Sequence, residues 1–220
     1  MIAVQVTGVA TLIALTVMLG ASPRQDRSRL LDPNAPEFLA PAPERAIVRL
    51  DTSAGPVDIE VVRPWAPRGA DRFVALVRHG YYDDARFFRV RPARWVQFGI
   101  NGNPAIARAW RHRTFLDDPF VQSNTRGTVA FAFALPNGRT TQVFMNTADN
   151  SATHDREPFT PFGRVIAGLS YVDRINAEHG EGPGGIRAGK QDPFFEGGNT
   201  WLLRHFPRLD HIRRAVVLER

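Results

Sequence analysis

Residues 127–146 read Gly127-Thr-Val-Ala-Phe-Ala-Phe-Ala-Leu-Pro-Asn-Gly-Arg-Thr-Thr-Gln-Val-Phe-Met-Asn146. Two short runs rich in Val and Phe, Thr128–Ala134 and Gln142–Asn146, are separated by a Pro, an Asn and a Gly. Apolar runs this short, bounded by turn residues, read as strands. Similar runs lie at Ala46–Asp51, Val57–Val62, Arg86–Val90, Trp95–Gly99, Phe162–Ile166 and Ile212–Leu218. The first two flank Ser53-Ala-Gly-Pro56 and so predict a β-hairpin. Helical spacing occurs twice. Ala70, Phe73, Val74 and Val77 share one face before Gly80, and Leu169, Val172, Ile175 and Asn176 form a second set. Many short strands with two helices predict a mainly β, closed or nearly closed barrel.

Composition agrees with one domain carrying tails. The chain has 220 residues, of which 43% are hydrophobic and 23% charged, which excludes wholesale disorder and a polytopic membrane protein. It has no cysteine, so disulfides, thiolate metal sites and cysteine nucleophiles are out. The net charge is +6 and the pI about 10.8. All but one of the 28 basic residues are arginine, the exception being Lys190. That skew fits base composition as readily as function. The arginines are interspersed with acids, as in Arg68, Asp71, Arg72 and Arg78, so no nucleic-acid arm is expected.

The two ends of the chain read differently from its middle. Residues 2–21 are apolar and uncharged, and Leu19-Gly-Ala-Ser-Pro23 resembles a signal-peptidase region. Residues 1–21 are therefore expected to be a signal peptide, or else an uncleaved membrane anchor, since Arg24, Arg27 and Arg29 follow the run rather than precede it. An extracytoplasmic or periplasmic location follows from either, with the cytoplasm left open. Five prolines within 22–45 predict an extended linker, leaving 46–220 as the folded domain. The stretch 178–210 combines Gly and Pro with Phe194, Phe195, Trp201, Leu202, Leu203 and Phe206, a surface excursion of which part packs down. No internal repeat is present.

Catalytic constellations are scarce. Ser151 and His154 are near neighbours without a nucleophile elbow. The six histidines lack the i,i+4 spacing of a helical metal site. Gly182-Pro-Gly-Gly185 has no strand–helix context for phosphate. No metal and no cofactor is expected, and the residues alone suggest a peptide- or ligand-binding barrel.

Five blocks, in order, carry a resemblance: Phe87-Phe-Arg-Val-Arg-Pro92, Trp95-Val-Gln-Phe-Gly99, Gly127-Thr-Val-Ala-Phe-Ala132, Thr141-Gln-Val-Phe-Met-Asn146 and Pro161-Phe-Gly-Arg-Val165. From about Ala46 to Ala177 the chain resembles the cyclophilin-type peptidyl-prolyl cis-trans isomerases. The resemblance implies a closed eight-stranded antiparallel barrel capped by two helices, and the Xaa-Pro peptide bond of client segments as substrate. It implies a cofactor-free activity, and a monomer is expected.

Rotation about an Xaa-Pro bond meets a barrier of about 18–20 kcal/mol, because the planar amide must lose its resonance. A fixed cationic donor beside the proline nitrogen favours the twisted state, where that nitrogen regains a lone pair. By resemblance the donor is Arg89. Read without it, Arg89 is a strand-end arginine with Asp83 or Asp84 for a partner. The resemblance further implies that Gln97 contacts substrate while supporting the arginine, and that Phe144 floors the proline pocket. Trp95 is implied as a pocket wall, Ala132 and Phe133 run along the substrate, and Gln142 lines the neighbouring pocket.

Two positions depart from the family pattern. Arg94 replaces an apolar aromatic, and Phe159 stands for a hydrogen-bonding His or Tyr. The tryptophan and leucine expected between Asn146 and Phe159 are missing. These departures bear on substrate preference and on cyclosporin-type ligands more than on the chemistry. The expectation is an isomerase assisting the folding of exported proteins; the alternative is a proline-peptide binding module or chaperone with little turnover.

Overall fold

The computed structural model describes residues 27–157, 159–184 and 190–218. The apolar segment 2–21 lies outside these residues, as does the start of the proposed linker. Eight strands form one antiparallel sheet: β1 (Arg45–Thr52), β2 (Gly55–Val62), β3 (Arg89–Arg91), β4 (Trp95–Phe98), β5 (Thr128–Phe131), β6 (Val143–Asn146), β7 (Pro161–Ala167) and β8 (Ile212–Leu218). Their spatial order is β3-β4-β6-β5-β7-β2-β1-β8. The strand ladder stops short of full closure. Between its two ends the sheet is joined by one bridge, Arg86 with His211, and by backbone bonds such as Phe87 N–H to the Asp210 carbonyl at 3.0 Å. Barrel closure is thus partial, and β3 is shorter than the strand expected from Arg86.

Alternation sorts the side chains. Val90, Val96, Phe98, Val129, Val143 and Met145 enter the main core, while their neighbours on β3, β4 and β6 face outward, because successive strand residues point to opposite faces. α1 (Pro67–Arg78) covers the sheet with Ala70, Phe73, Val74 and Val77, all buried. The second expected helix, α4 (Leu169–Asp173), is only five residues long. The chain turns after it because the Asn176 N–H is captured by the Asp210 carboxylate at 2.7 Å.

Three helices lie beyond the two expected: α2 (Pro104–Trp110), α3 (Ser151–His154) and α5 (Asp192–His205). α2 is started by Asn103, whose side chain accepts the Ala105 N–H at 2.9 Å. α5 bends at Gly198 and brings Phe194, Phe195 and Leu202 onto Phe88, Ile100 and Ala107, a second small core. Leu203, grouped by sequence with the packed residues, is 46% exposed.

The described part of the linker is not a tether. Residues 27–44 lie on the domain through two short 3-10 turns, Ser28–Leu31 and Pro36–Phe38. Leu30 is fully buried, and its carbonyl accepts the Trp110 indole N–H at 2.8 Å. Phe38 meets Trp110 edge-on at 4.9 Å. The prolines exclude α-helix, as expected, but the apolar residues between them decide that this stretch packs.

Candidate active site

Register assembles the site. Arg89 lies opposite Gln97 on β4, Gln97 opposite Phe144 on β6, and Phe144 opposite Ala130 on β5. Directly opposed residues share a face, with Cβ atoms about 4.5–5.5 Å apart. Arg89, Gln97 and Phe144 therefore form one row on the outer face of the sheet, and Trp95, two residues before Gln97, shares that face. A trough of about 650 Å³ runs over this row. All nine residues expected from sequence line it: Arg89, Arg94, Trp95, Gln97, Ala132, Phe133, Gln142, Phe144 and Phe159.

The row is wired by hydrogen bonds. Arg89 Nη1 donates to Gln97 Oε1 at 3.1 Å, and Gln97 Nε2 donates to Gln142 Oε1 at 2.9 Å. Gln142 Nε2 then donates to Gln191 Oε1 at 2.8 Å. Each amide orientation follows from the one before, because a guanidinium can only donate and so must face an oxygen. The Arg89 guanidinium also lies over the Trp95 ring, 5.2 Å from its centroid. Its carboxylate partner is Glu181, at 2.7 Å from Nε. Neither aspartate suggested by sequence fills that role: Asp83 accepts the Ala215 N–H at 2.9 Å, and Asp84 pairs with Arg86 at 3.1 Å.

Backbone fit places Gln142. Gly99, at φ 113°, lies so close to Thr141 that a Cβ would come within 2.3 Å of its carbonyl oxygen. The same carbonyl accepts the Tyr82 hydroxyl at 3.0 Å, and the Thr141 hydroxyl meets that of Tyr81 at 3.1 Å. Burial pushes the Tyr82 phenol well above its ordinary range and Tyr81 to about 12, so both stay neutral and serve as fixed struts. β5 stops at Phe131. The Ala132 N–H still bonds the Gln142 carbonyl at 2.9 Å, and the chain then leaves the sheet, placing Phe133 on the rim.

The far wall comes from an asparagine network. Asn150 donates to Asn146 Oδ1 at 2.7 Å and to the Arg94 carbonyl at 2.8 Å, which fixes the start of α3. Asn124 donates to the Phe159 carbonyl at 2.7 Å and to Asp155 at 2.9 Å. Burial raises the Asp155 carboxyl, but hydrogen bonds from Ser123 and Asn124 outweigh it and hold the group below its usual range. The result is an aromatic cluster. His154 lies 5.2 Å from Trp95, 5.5 Å from Phe144 and 5.0 Å from Phe159 between ring centroids, and Phe159 lies 4.5 Å from Phe133. Burial lowers the His154 pKa below its ordinary value, helped by Arg94 and opposed by a backbone bond at Asn150 and by Glu157 and Asp155. The imidazole thus stands as a neutral ring among Trp95, Phe144 and Phe159.

Three participants escape a reading of the sequence: His154, which the sequence sets only beside Ser151 without a nucleophile elbow, and Glu181 and Gln191 from the 178–210 stretch. Arg94 lies on the rim with an exposed side chain. Among the described residues no three His, Asp or Glu side chains gather as a metal-ligand set. The trough offers an apolar floor, amide donors and acceptors along one side, and the guanidiniums of Arg89, Arg94 and Arg111 around its lining, of which Arg89 is the one tied into the amide row, a surface suited to an extended peptide with an apolar ring.

Comparison with known proteins gives the same direction. Residues 47–191 match the family model for cyclophilin type peptidyl-prolyl cis-trans isomerases. A peptidyl-prolyl cis-trans isomerase of Acinetobacter baylyi is 32% identical over 133 residues, 59% of this chain and 71% of that protein. A peptidyl-prolyl cis-trans isomerase-like 1 of Rhizopus delemar is 33% identical over 135 residues, 60% of this chain and 81% of the relative. Among solved structures, a cyclophilin type isomerase of Cryptosporidium parvum superposes with a TM-score of 0.58 at 17% identity, covering 80% of this chain and 99% of its own. With two thirds of its length matched by the family model, this chain belongs to the cyclophilin-type peptidyl-prolyl cis-trans isomerases.

Proposed function

We propose that the trough seats a proline segment of a client chain, with the ring against Phe144, Trp95, His154 and Phe159, and that Arg89 is the catalytic donor. The observation that carries this reading is the placement of the Arg89 guanidinium at the edge of the apolar hollow, hydrogen-bonded to Gln97 and in line with Phe144. As the prolyl bond twists, its nitrogen pyramidalises and exposes a lone pair. A guanidinium N–H aimed at that position binds the twisted state better than the planar one, and only such differential binding accelerates the rotation. Arginine suits the task because it remains charged at any physiological pH. Gln97 and Gln142 each keep one amide N–H outside the hydrogen-bonded row for the client backbone, while Ala132 and Phe133 offer an edge along which it extends.

The test is cis-to-trans relaxation of a proline tetrapeptide with the purified protein and its Arg89→Ala form. Removing one fixed donor of this kind costs about 10²–10³ in rate, and equal rates for the two proteins would reject Arg89 as catalyst. Peptide binding with no acceleration by the wild-type protein would instead mark a binding module.

We further propose that the clients are exported proteins and that the enzyme works outside the cytoplasm. The support is residues 2–21, whose apolar run followed by Leu19-Gly-Ala-Ser-Pro23 suits export or anchoring. N-terminal sequencing of the protein recovered from cell fractions checks it. A chain beginning at Met1 in the soluble cytoplasmic fraction counts against both forms of the proposal.

A further inference from the structure

The Arg89 guanidinium has five N–H groups. Its Nε donates to Glu181 Oε1 at 2.7 Å, Nη2 lies 2.5 Å from the same oxygen, and Nη1 donates to Gln97. One N–H on each terminal nitrogen remains. The group is gripped from opposite sides, by a carboxylate along one edge and an amide at the other, over the face of Trp95.

Glu181 is itself held in place. The Val90 N–H donates to the Gly180 carbonyl at 3.0 Å, and the Gly182 N–H closes a turn onto His179 at 2.9 Å. Pro183 and Gly184 are buried. A Cβ on Gly184 would lie 2.2 Å from the Phe88 ring, so the loop is seated directly on the residue that precedes Arg89. Arg208 pairs with Glu178 at the start of the same loop. The carboxylate is thus an anchored part of the site. Gln191, which ends the amide chain at its other side, belongs to the same 178–210 stretch. The segment beyond the five matching blocks therefore holds both ends of the series Glu181, Arg89, Gln97, Gln142, Gln191.

We propose that Glu181 is a positioning residue for the isomerase reaction, fixing the Arg89 guanidinium so that one of its two remaining N–H groups is set for the proline nitrogen before a client arrives. This rests on the reading of Arg89 as the donor. A freely rotating arginine would have to be ordered in each turnover; one clamped on two edges is ordered beforehand, and the gain appears in kcat rather than in client binding.

The experiment compares wild type, Glu181→Ala, Glu181→Gln and Arg89→Ala by NMR exchange kinetics on a proline tetrapeptide. Misplacing a reacting group by about 1 Å can cost up to about 10²-fold, so Glu181→Ala is expected to lower kcat about 10-fold with KM within about 2-fold. Glu181→Gln keeps an oxygen able to accept from Nε, and should retain at least about a third of wild-type kcat. A Glu181→Ala enzyme as fast as wild type, or faster, overturns the proposal provided Arg89→Ala is inactive. An active Arg89→Ala enzyme overturns the reading of Arg89 instead. A second readout does not need the alanine variant to fold. In wild type and in Glu181→Gln, the Arg89 Nε–H, assigned by its loss in Arg89→Lys, should give a sharp, slowly exchanging nitrogen–proton signal near neutral pH. Its absence from wild type overturns the clamp directly.

Discussion

Replacing Gln97 by leucine cuts the series of side chains in its middle while nearly conserving volume. Gln97 is 4% exposed and makes two bonds, accepting from Arg89 at 3.1 Å and donating to Gln142 at 2.9 Å. A bond to a charged donor is worth about 1.5–3 kcal/mol and a neutral one about 0.5–1.5 kcal/mol. Burying a leucine side chain there returns about 1.5–3 kcal/mol. Gln142 Oε1 is not orphaned either, since Gln191 Nε2 still reaches it at 3.1 Å. The two sides nearly cancel, so the fold should lose no more than about 1–2 kcal/mol, a shift of a few degrees in melting temperature. Catalysis has no such offset. If the Arg89 bond is expressed in the transition state, losing 1.5–3 kcal/mol lowers kcat/KM by about 10- to 100-fold, at roughly 1.4 kcal/mol per decade. The assay is proline-peptide relaxation beside a thermal melt of the same samples. A folded Gln97→Leu enzyme with wild-type kcat/KM refutes the claim that the amides orient the arginine.

His154 predicts a pH dependence. Burial depresses its folded-state pKa below the ordinary 6.5, so the ring is neutral at pH 7, and its share of stability is present above 6.5 and lost as pH falls through the depressed value. Protonation would put a cation among Trp95, Phe144 and Phe159 and beside Arg94, so kcat/KM should fall on that acid limb. His154→Phe should flatten the limb, and an unchanged pH–rate profile would remove His154 from the pocket. Leu30→Ala, in the stretch ahead of β1, should cost about 2–5 kcal/mol in a denaturant melt while leaving activity of the folded enzyme intact; a loss below about 0.5 kcal/mol would mean that this stretch is not part of the cooperative unit.

Much of the site is legible in the sequence because strands make it so. Arg89, Gln97, Phe144 and Ala132 sit in local blocks whose alternation fixes which face each residue takes, and pairing alone then brings the blocks together. What stays hidden is tertiary and distant. Glu181 lies 92 residues beyond Arg89, and no local pattern says which of several acids will find that guanidinium; the nearby Asp83 and Asp84 are the natural guesses and are engaged elsewhere. His154 escapes because four-residue α3 is set by asparagine bonds to Arg94 and Asn146 rather than by helical periodicity. The stretch 27–44 misleads through its prolines, which speak for extended backbone but not for exposure. Leu30 and Phe38, large apolar residues inside a polar segment, were the available signal.

Phe87 and Phe88 illustrate a last point about economy of design. One ring enters the barrel interior and meets Phe98 at 5.6 Å, and the other turns the opposite way to meet Phe194 at 5.6 Å. The short strand bearing Arg89 is therefore riveted between two separate greasy layers. Trimming the chain back to a minimal barrel would uncover Phe88, Ile100 and Ala107 together, leaving a sticky scar beside the trough. Such a miniature should aggregate before it could be judged as a catalyst, and any engineered version would need polar replacements on that newly bared surface.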